Sequence, residues 1–354
     1  MRAPSSGVRS PVAVEPTEAP VAPAAVAAPR VSVLVVARGE DPGRIRRLVE
    51  AVERSEGVAG VQVVLAAPSP DTRRWGLPLP RGAVGEITIV ANERGARSTG
   101  LNLGLTRCTG AIVCRLDART LPSPDHLLRC LDRLDADPEV GVVGGVQDAV
   151  AGGTGWLPRG VARALRNPWL LGGARYRRPG SAGAVDTVYL GAFRRSDLVT
   201  MGGWDERLAA NEDYDLCQRY RRSGSTVWLE AGLLVGYEAR AGLVAVARQY
   251  HAFGRAKVDY WRLRRRGPAR RQLLALVGAG VGVALSACWV RGAGRAAAAV
   301  AAGLAGVAVI DHVADPAELD PAVRAGAVAA SIVVMVSWLS GVLDGLLRGR
   351  SPQA

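Results

Sequence analysis

The stretch Val31-Ser-Val-Leu-Val-Val-Ala37 decides the fold. It is short, apolar and rich in β-branched residues, as a strand buried on both faces of a parallel sheet must be. Working outward, the pattern repeats. A helix is predicted from about Pro42 to Glu56, a second strand over Val61–Ala67 closed by Pro68-Ser-Pro70, and a third over Ile87–Ala91. Ala96–Thr106 reads as helix, Ala111–Leu116 as a strand running into Asp117, Leu121–Asp135 as helix and Val140–Gly144 as a fifth strand. Strand and helix alternate across short connections, so the expected fold is α/β, a doubly wound, mostly parallel Rossmann-like sheet. Ligands of such sheets lie at the carboxyl ends of the strands. Arg38-Gly-Glu40, Asn92-Glu-Arg94 and Asp117-Ala-Arg119 fall there.

The flanks differ from this core. Residues 1–30 are rich in Pro, Ala and Val, lack periodicity and have no continuous apolar h-region, so they read as a disordered tail and not as a signal peptide. Beyond residue 262 a basic block, Arg264–Arg271, precedes three apolar runs at Gln272–Val290, Ala296–Ile310 and Ala325–Leu343. The first and third approach the roughly 20 residues that cross a bilayer. They lack the polar stripe of a globular surface helix. The expected organisation is therefore a catalytic-type domain over 31–262, a membrane-associated region over 263–348 with two or three transmembrane helices, and a short tail at 349–354. The competing assignments are buried Ala/Gly-rich helices, or two spans with one interfacial helix. The basic block would place the α/β domain on the cytoplasmic side of a multi-pass cell-membrane protein.

The chain has 354 residues, enough for a substantial core and more than one unit, and a net charge of +13, carried almost wholly by arginine, since Lys257 is its single lysine. Such a balance suits anionic lipid or a phosphorylated substrate. No nucleic-acid module or zinc-finger spacing is present, so no nucleic-acid partner is expected. The five cysteines are scattered with no CxxC pair, which favours buried free thiols over disulfides or a metal site. His251 and His312 have no partner at metal-ligand spacing, and His126, in a predicted helix, reads as a surface or packing residue.

The most informative chemistry lies in Gly202-Gly-Trp-Asp-Glu206 and Asn211-Glu-Asp-Tyr-Asp215. Glu212 and Asp213 open a predicted helix, with Asn211 as its N-cap candidate. Adjacent carboxylates beside a loop can supply a general base. The alternative is an acidic first turn on a surface helix, with Asp215 and Arg219 as an i,i+4 pair.

These motifs, in this order, resemble those of the family 2 glycosyltransferases of GT-A fold, in particular the membrane-associated branch typified by succinoglycan-biosynthesis proteins. Ala37-Arg-Gly-Glu40 resembles the family's opening turn, and Asn92–Gly104 the helix that carries Asn102 toward the nucleotide. Arg115-Leu-Asp-Ala-Arg119 stands where the family has Asp-x-Asp or Asp-x-His. Tyr237–Arg240 and Arg248–Lys257 resemble the later arginine and Gln-Tyr-x-x-x-Gly-Arg block. The resemblance implies donor binding by Ala37, Arg38, Glu40, Asn92, Arg94, Asn102, Asp117 and Arg119. It implies an inverting transfer with Asp213 as base, its pKa raised by Glu212. Trp204, Asp205, Gln249, Arg255 and Lys257 would meet the acceptor or the diphosphate. A divalent cation, Mg or Mn, would sit on Asp117.

Two departures qualify this. Leu65-Ala-Ala-Pro-Ser-Pro-Asp71 occupies the place of acidic residues that contact the nucleobase and ribose, so Ala66 and Ala67 offer no side-chain acceptor and Asp71 lies further along. Arg119 removes one metal-binding carboxylate, and is expected either to pair with Asp117 or to supply part of the cation's charge. Trp156, Trp169 and Tyr176, in the irregular stretch 150–188, line an acceptor channel or serve as packing and membrane-interface residues. Arg175–Arg178 and Arg262–Arg271 either meet lipid phosphates or form solvated faces. The expected function is sugar transfer from a nucleotide-sugar to a lipid-linked or polysaccharide acceptor, with membrane lipids as further partners. The alternative is a degenerate transferase fold acting as a membrane scaffold.

Overall fold

A computed structural model describes residues 30–268, less 168–169 and 171–173, and residues 320–348, with isolated positions at 272–273, 303 and 306–307. Apart from those positions and residue 320, the first two apolar runs and the acidic loop between the second and third lie outside the described residues, as do Trp169, Cys288, His312 and residues 1–29. The elements are β1 (Val31–Val36), α1 (Pro42–Glu53), β2 (Val61–Ala67), α2 (Thr72–Trp75), β3 (Val84–Ala91), α3 (Arg97–Leu105), β4 (Ile112–Asp117) and β5 (Thr120–Pro122). Then come α4 (His126–Ala136), β6 (Val140–Val150), α5 (Trp156–Arg166), β7 (Gly183–Ala184), β8 (Tyr189–Arg194), α6 (Arg195–Thr200), α7 (Glu212–Arg222), β9 (Thr226–Glu238) and α8 (Leu243–Arg264). The last described helix, α9, spans Pro321–Arg348.

The sheet order is β3-β2-β1-β4-β8-β6-β9-β5, with β7 paired to β9. The four strands β3-β2-β1-β4 are parallel, β8 runs antiparallel between β4 and β6, and β9 lies parallel to β6. Alternation along β1 shows why the opening stretch has no polar face. Val31, Val33 and Val35 enter one core with α1, α2 and α4, while Leu34 and Val36 enter the other with α3, α6 and α7. The expected α/β sheet is present but mixed and not mostly parallel. β3-β2-β1-β4 and β6-β9 pair in parallel, while β5, β7 and β8, which like β9 the sequence pattern did not announce, pair antiparallel.

Cys108, Cys114, Cys130 and Cys217 are free and buried, as expected. His126 is fully buried in α4, its Nε2 3.7 Å from the Cys114 sulfur. It is a packing residue and not a surface one.

A third core joins α5, α8 and α9. α9 is long and apolar enough to cross a bilayer by length and composition. It lies along α8, however, and runs in the same direction. A Cβ on Gly254 would stand 2.1 Å from the Trp338 carbonyl, and one on Gly341 2.0 Å from that of His251, so only hydrogens fit where the two backbones meet. His251 Nδ1 lies 3.0 Å from Ser340 Oγ, and Arg255 pairs with Asp344 at 3.4 Å. Arg262 donates to the Gly345 and Leu346 carbonyls. Several transmembrane helices are not seen among the described residues. What is seen is one apolar helix docked on a helix that carries Arg248, Arg255, Lys257, Asp259, Arg262 and Arg264.

Candidate active site at the strand ends

Asp117 ends β4, Arg97 opens α3, and Glu212 and Asp213 open α7; the sheet brings all four to one edge. Arg115, inside β4 and 3% exposed at its side chain, sits at their centre. Its guanidinium donates to Asp117 Oδ1 at 3.0 Å and to Asp213 Oδ2, and lies 3.6 Å from Glu212 Oε1. Arg97 Nη1 donates to Asp117 Oδ2 at 3.2 Å, and its Nε lies 3.9 Å from Glu212. The Trp204 indole donates to Asp213 Oδ1 at 3.0 Å, so both oxygens of Asp213 are oriented by donors.

The electrostatics follow from this packing. Burial opposes the charge of Asp117, but Arg115 and Arg97 together hold its carboxyl below the usual range. The group pushed up is Glu212, first by burial and then by the charge of Asp213, against the pull of Arg97 and Arg115. Glu212 is therefore held toward its neutral form.

Asn211 does not cap α7 with its side chain. Its φ is +68°, a left-handed conformation that Asn tolerates, and its Oδ1 instead accepts from Lys257 Nζ at 3.1 Å. Nor is α7 a surface helix. Asp215 is fully buried, held by Arg219 at 3.0 Å and by Arg264 at 2.6 and 2.7 Å. Arg264 also donates to Asp205 at 2.7 Å. The first arginine of the basic block thus belongs to the domain. The hydrogen bonds from Arg207, with the charge of Arg264 adding a smaller part, lower Asp205 to about 2. Lys257 Nζ lies 3.8 Å from the centre of the Tyr214 ring.

The remaining expected donor and acceptor residues disperse. Asn92 is buried under the turn that follows it and donates to the Ala96 carbonyl. Asn102 is spent internally: its amide donates to the Trp204 carbonyl and to Glu206, and its oxygen accepts from Trp204 N, each at 2.9 Å. A Cβ on Gly203 would stand 2.4 Å from that oxygen, so this clip needs glycine there. Glu40 accepts from the Arg38 and Gly39 amides of its own turn, Ala37 is buried, and Arg94 is exposed. Arg119 does not pair with Asp117. It donates to the Glu238 carbonyl at 3.2 Å, in a cluster where Arg44 binds Glu238 at 2.6 Å. Gln249 donates to the Tyr237 hydroxyl at 3.0 Å. Arg255, six residues on and so well round the helix, faces α9. Ala66 and Ala67 are buried, and Asp71 caps α2. Trp156 packs over Gly326 of α9, and Arg175 holds the Ala182 and Ala184 carbonyls. Arg97 and Arg115, the centre of the cluster, were not among the expected site residues; the arginine two positions before Asp117 on a buried strand was the available signal.

A cleft of about 540 Å³ lies on the outer side of α3, bordered by Asn92, Arg94, Thr99 and Glu206, away from Asp117. The cluster does not offer a metal its usual oxygen ligands. Both oxygens of Asp117 are taken by guanidinium groups, Arg119 has turned away, and among the described residues no three His, Cys, Asp or Glu side chains are placed to hold an ion.

Residues 32–200 match the family "Glycosyl transferase family 2". The succinoglycan biosynthesis protein ExoA of Rhizobium meliloti is 24% identical over 253 residues, 69% of this chain and 74% of that protein. Among solved structures, the mannosyltransferase PcManGT of Pyrobaculum calidifontis, in complex with GDP-Man and Mn2+, aligns with a TM-score of 0.54 at 21% identity. That alignment covers 91% of this chain and 88% of that one.

Proposed function

Residues 32–200 are a family 2 glycosyltransferase domain and the chain is a glycosyltransferase; from that premise we propose that it transfers a sugar, with inversion, from a nucleotide-sugar to a glycan acceptor, with Asp213 as the base. The observation that carries the assignment is the meeting of Asp117, Glu212 and Asp213 with Arg97 and Arg115 at the carboxyl edge of the sheet. The acceptor hydroxyl attacks the anomeric carbon. Its proton passes to Asp213, the new C–O bond forms, and the bond to the diphosphate breaks on the opposite face with its electron pair leaving on the diphosphate oxygen. Trp204 and Arg115 fix the direction of the Asp213 carboxylate.

The acceptor is proposed to be lipid-linked and the reaction to take place at the cytoplasmic membrane face. Support comes from the outer face of the α8–α9 pair, where Phe253, Val336, Leu343, Leu346 and Leu347 are exposed, and from the apolar runs at 272–290 and 296–310. α9 would meet the bilayer from the side, because α8, packed along it, carries too many charges to enter hydrocarbon. A panel of nucleotide-sugars tests the donor reading by release of the nucleotide diphosphate. Turnover with one or more is expected, and turnover that survives Asp213→Asn undiminished contradicts the assignment of the base.

A further inference from the structure

We propose that Arg97, held in place by the carboxylate network built around Arg115, meets the donor diphosphate and that no divalent cation is needed at Asp117. The inference rests on the nucleotide-sugar reading above and specifies how that donor's charge is met. A small hard cation takes about six oxygens, with one or two carboxylates completed by substrate phosphates and waters, so Asp117 would have to be free to ligate it. Here Asp117 gives Oδ1 to Arg115 at 3.0 Å and Oδ2 to Arg97 at 3.2 Å. Glu212 Oε1 faces the same two arginines at 3.6 and 3.9 Å. Asp213 is held by Arg115 and the Trp204 indole. A cation would have to displace Arg97 from Asp117 and then sit beside the buried charge of Arg115. Arg97 and Arg115 are the cationic groups that already meet these carboxylates.

They have different roles. Arg115 is 3% exposed and reaches only the carboxylates, so it is a positioning residue for Asp117 and Asp213. Arg97 is 32% exposed at its side chain and is the one that a phosphate can touch. A guanidinium has five N–H donors in a planar fork suited to phosphate oxygens, and the Asp117 and Glu212 contacts engage only its Nη1 and Nε. As the anomeric C–O bond breaks, the electron pair moves onto the diphosphate oxygen, and Arg97 carries the charge that meets it.

The test uses the full-length chain and titrates UDP, GDP, dTDP and ADP by calorimetry, once in EDTA and once in Mn2+, with electron paramagnetic resonance following the Mn2+. At least one nucleotide is expected to bind with an affinity that differs by no more than about twofold between the two buffers. In EDTA, Arg97→Ala is expected to weaken that binding by about tenfold, and Arg97→Lys, which keeps the charge, by less. Binding that disappears in EDTA and returns with Mn2+ overturns the inference and leaves the donor reading intact. A protein-bound Mn2+ signal that Asp117→Asn removes does the same. Silence from all four nucleotides in both buffers overturns the donor reading, and this inference with it.

Discussion

The two sides of the strand-end cluster are built in different ways. On the acceptor side, the segment from Gly202 to Arg222 is tied at every edge. Asn102 clips its first turn, Trp204 steadies Asp213, and Arg264 reaches from the end of α8 to Asp205 and Asp215. On the donor side, Glu40 caps its own turn, Asp71 caps a one-turn helix, and Ala66 and Ala67 are sealed in the core. Asp213, the proposed base, is pre-organised by buried polar contacts. On the donor side the side chains expected to meet the nucleoside are capped or buried, so under the proposed reaction donor binding would lean on the charge of Arg97.

The sharpest way to break that contrast is Asp213→Asn. Transfer is expected to fall by about 10²–10⁴-fold while nucleotide affinity stays within a few-fold, checked by steady-state turnover beside calorimetry. Next in size is Asp215→Ala, which strands Arg219 and Arg264 without their shared buried carboxylate. It should cost about 3–5 kcal/mol, read as a lower urea midpoint. The Asp205 carboxyl adds a pH-dependent effect. Its folded value of about 2 lies below the ordinary range, so its contribution is fully present above about pH 4 and is lost as pH falls through about 2. Asp205→Asn should remove about 2 kcal/mol at neutral pH and flatten acid unfolding in that window. Gly203→Ala forces a side chain into a φ of +63° and against Asn102. A loss of at least about 1–2 kcal/mol in thermal or urea unfolding is expected. The smallest effect belongs to the donor side. Arg119→Ala should leave nucleotide affinity within about twofold, since Arg119 serves Glu238 and not Asp117.

The parallel half of the sheet was legible because buried strands with helical spacers leave an unambiguous period, and α7 began where its acidic pair and preceding Asn suggested. The antiparallel additions were not. β8 is a short strand interrupted by Gly191, and β9 runs 13 residues across Gly232, whose φ is +68°, so neither gives a clean alternation. Glu212 and Asp213 could be singled out because they are adjacent in sequence. Arg97 gave no such signal and Arg115 only its place on a buried strand two residues before Asp117, since their meaning lies in a meeting of β4, α3 and α7 that only the tertiary fold produces. The same holds for Arg255: its motif pointed to the diphosphate, whereas helical geometry turned it to Asp344 of α9. Asn102 resembled a donor ligand by position but is committed to Trp204 and Glu206.

The most direct test is a crystal structure of the full-length chain with a bound nucleotide diphosphate. The account predicts phosphate oxygens within hydrogen-bond distance of Arg97, with the terminal phosphate facing Asp213. A diphosphate seated instead in the cleft bordered by Asn92, Arg94, Thr99 and Glu206, with Arg97 still closed on Asp117, would contradict it.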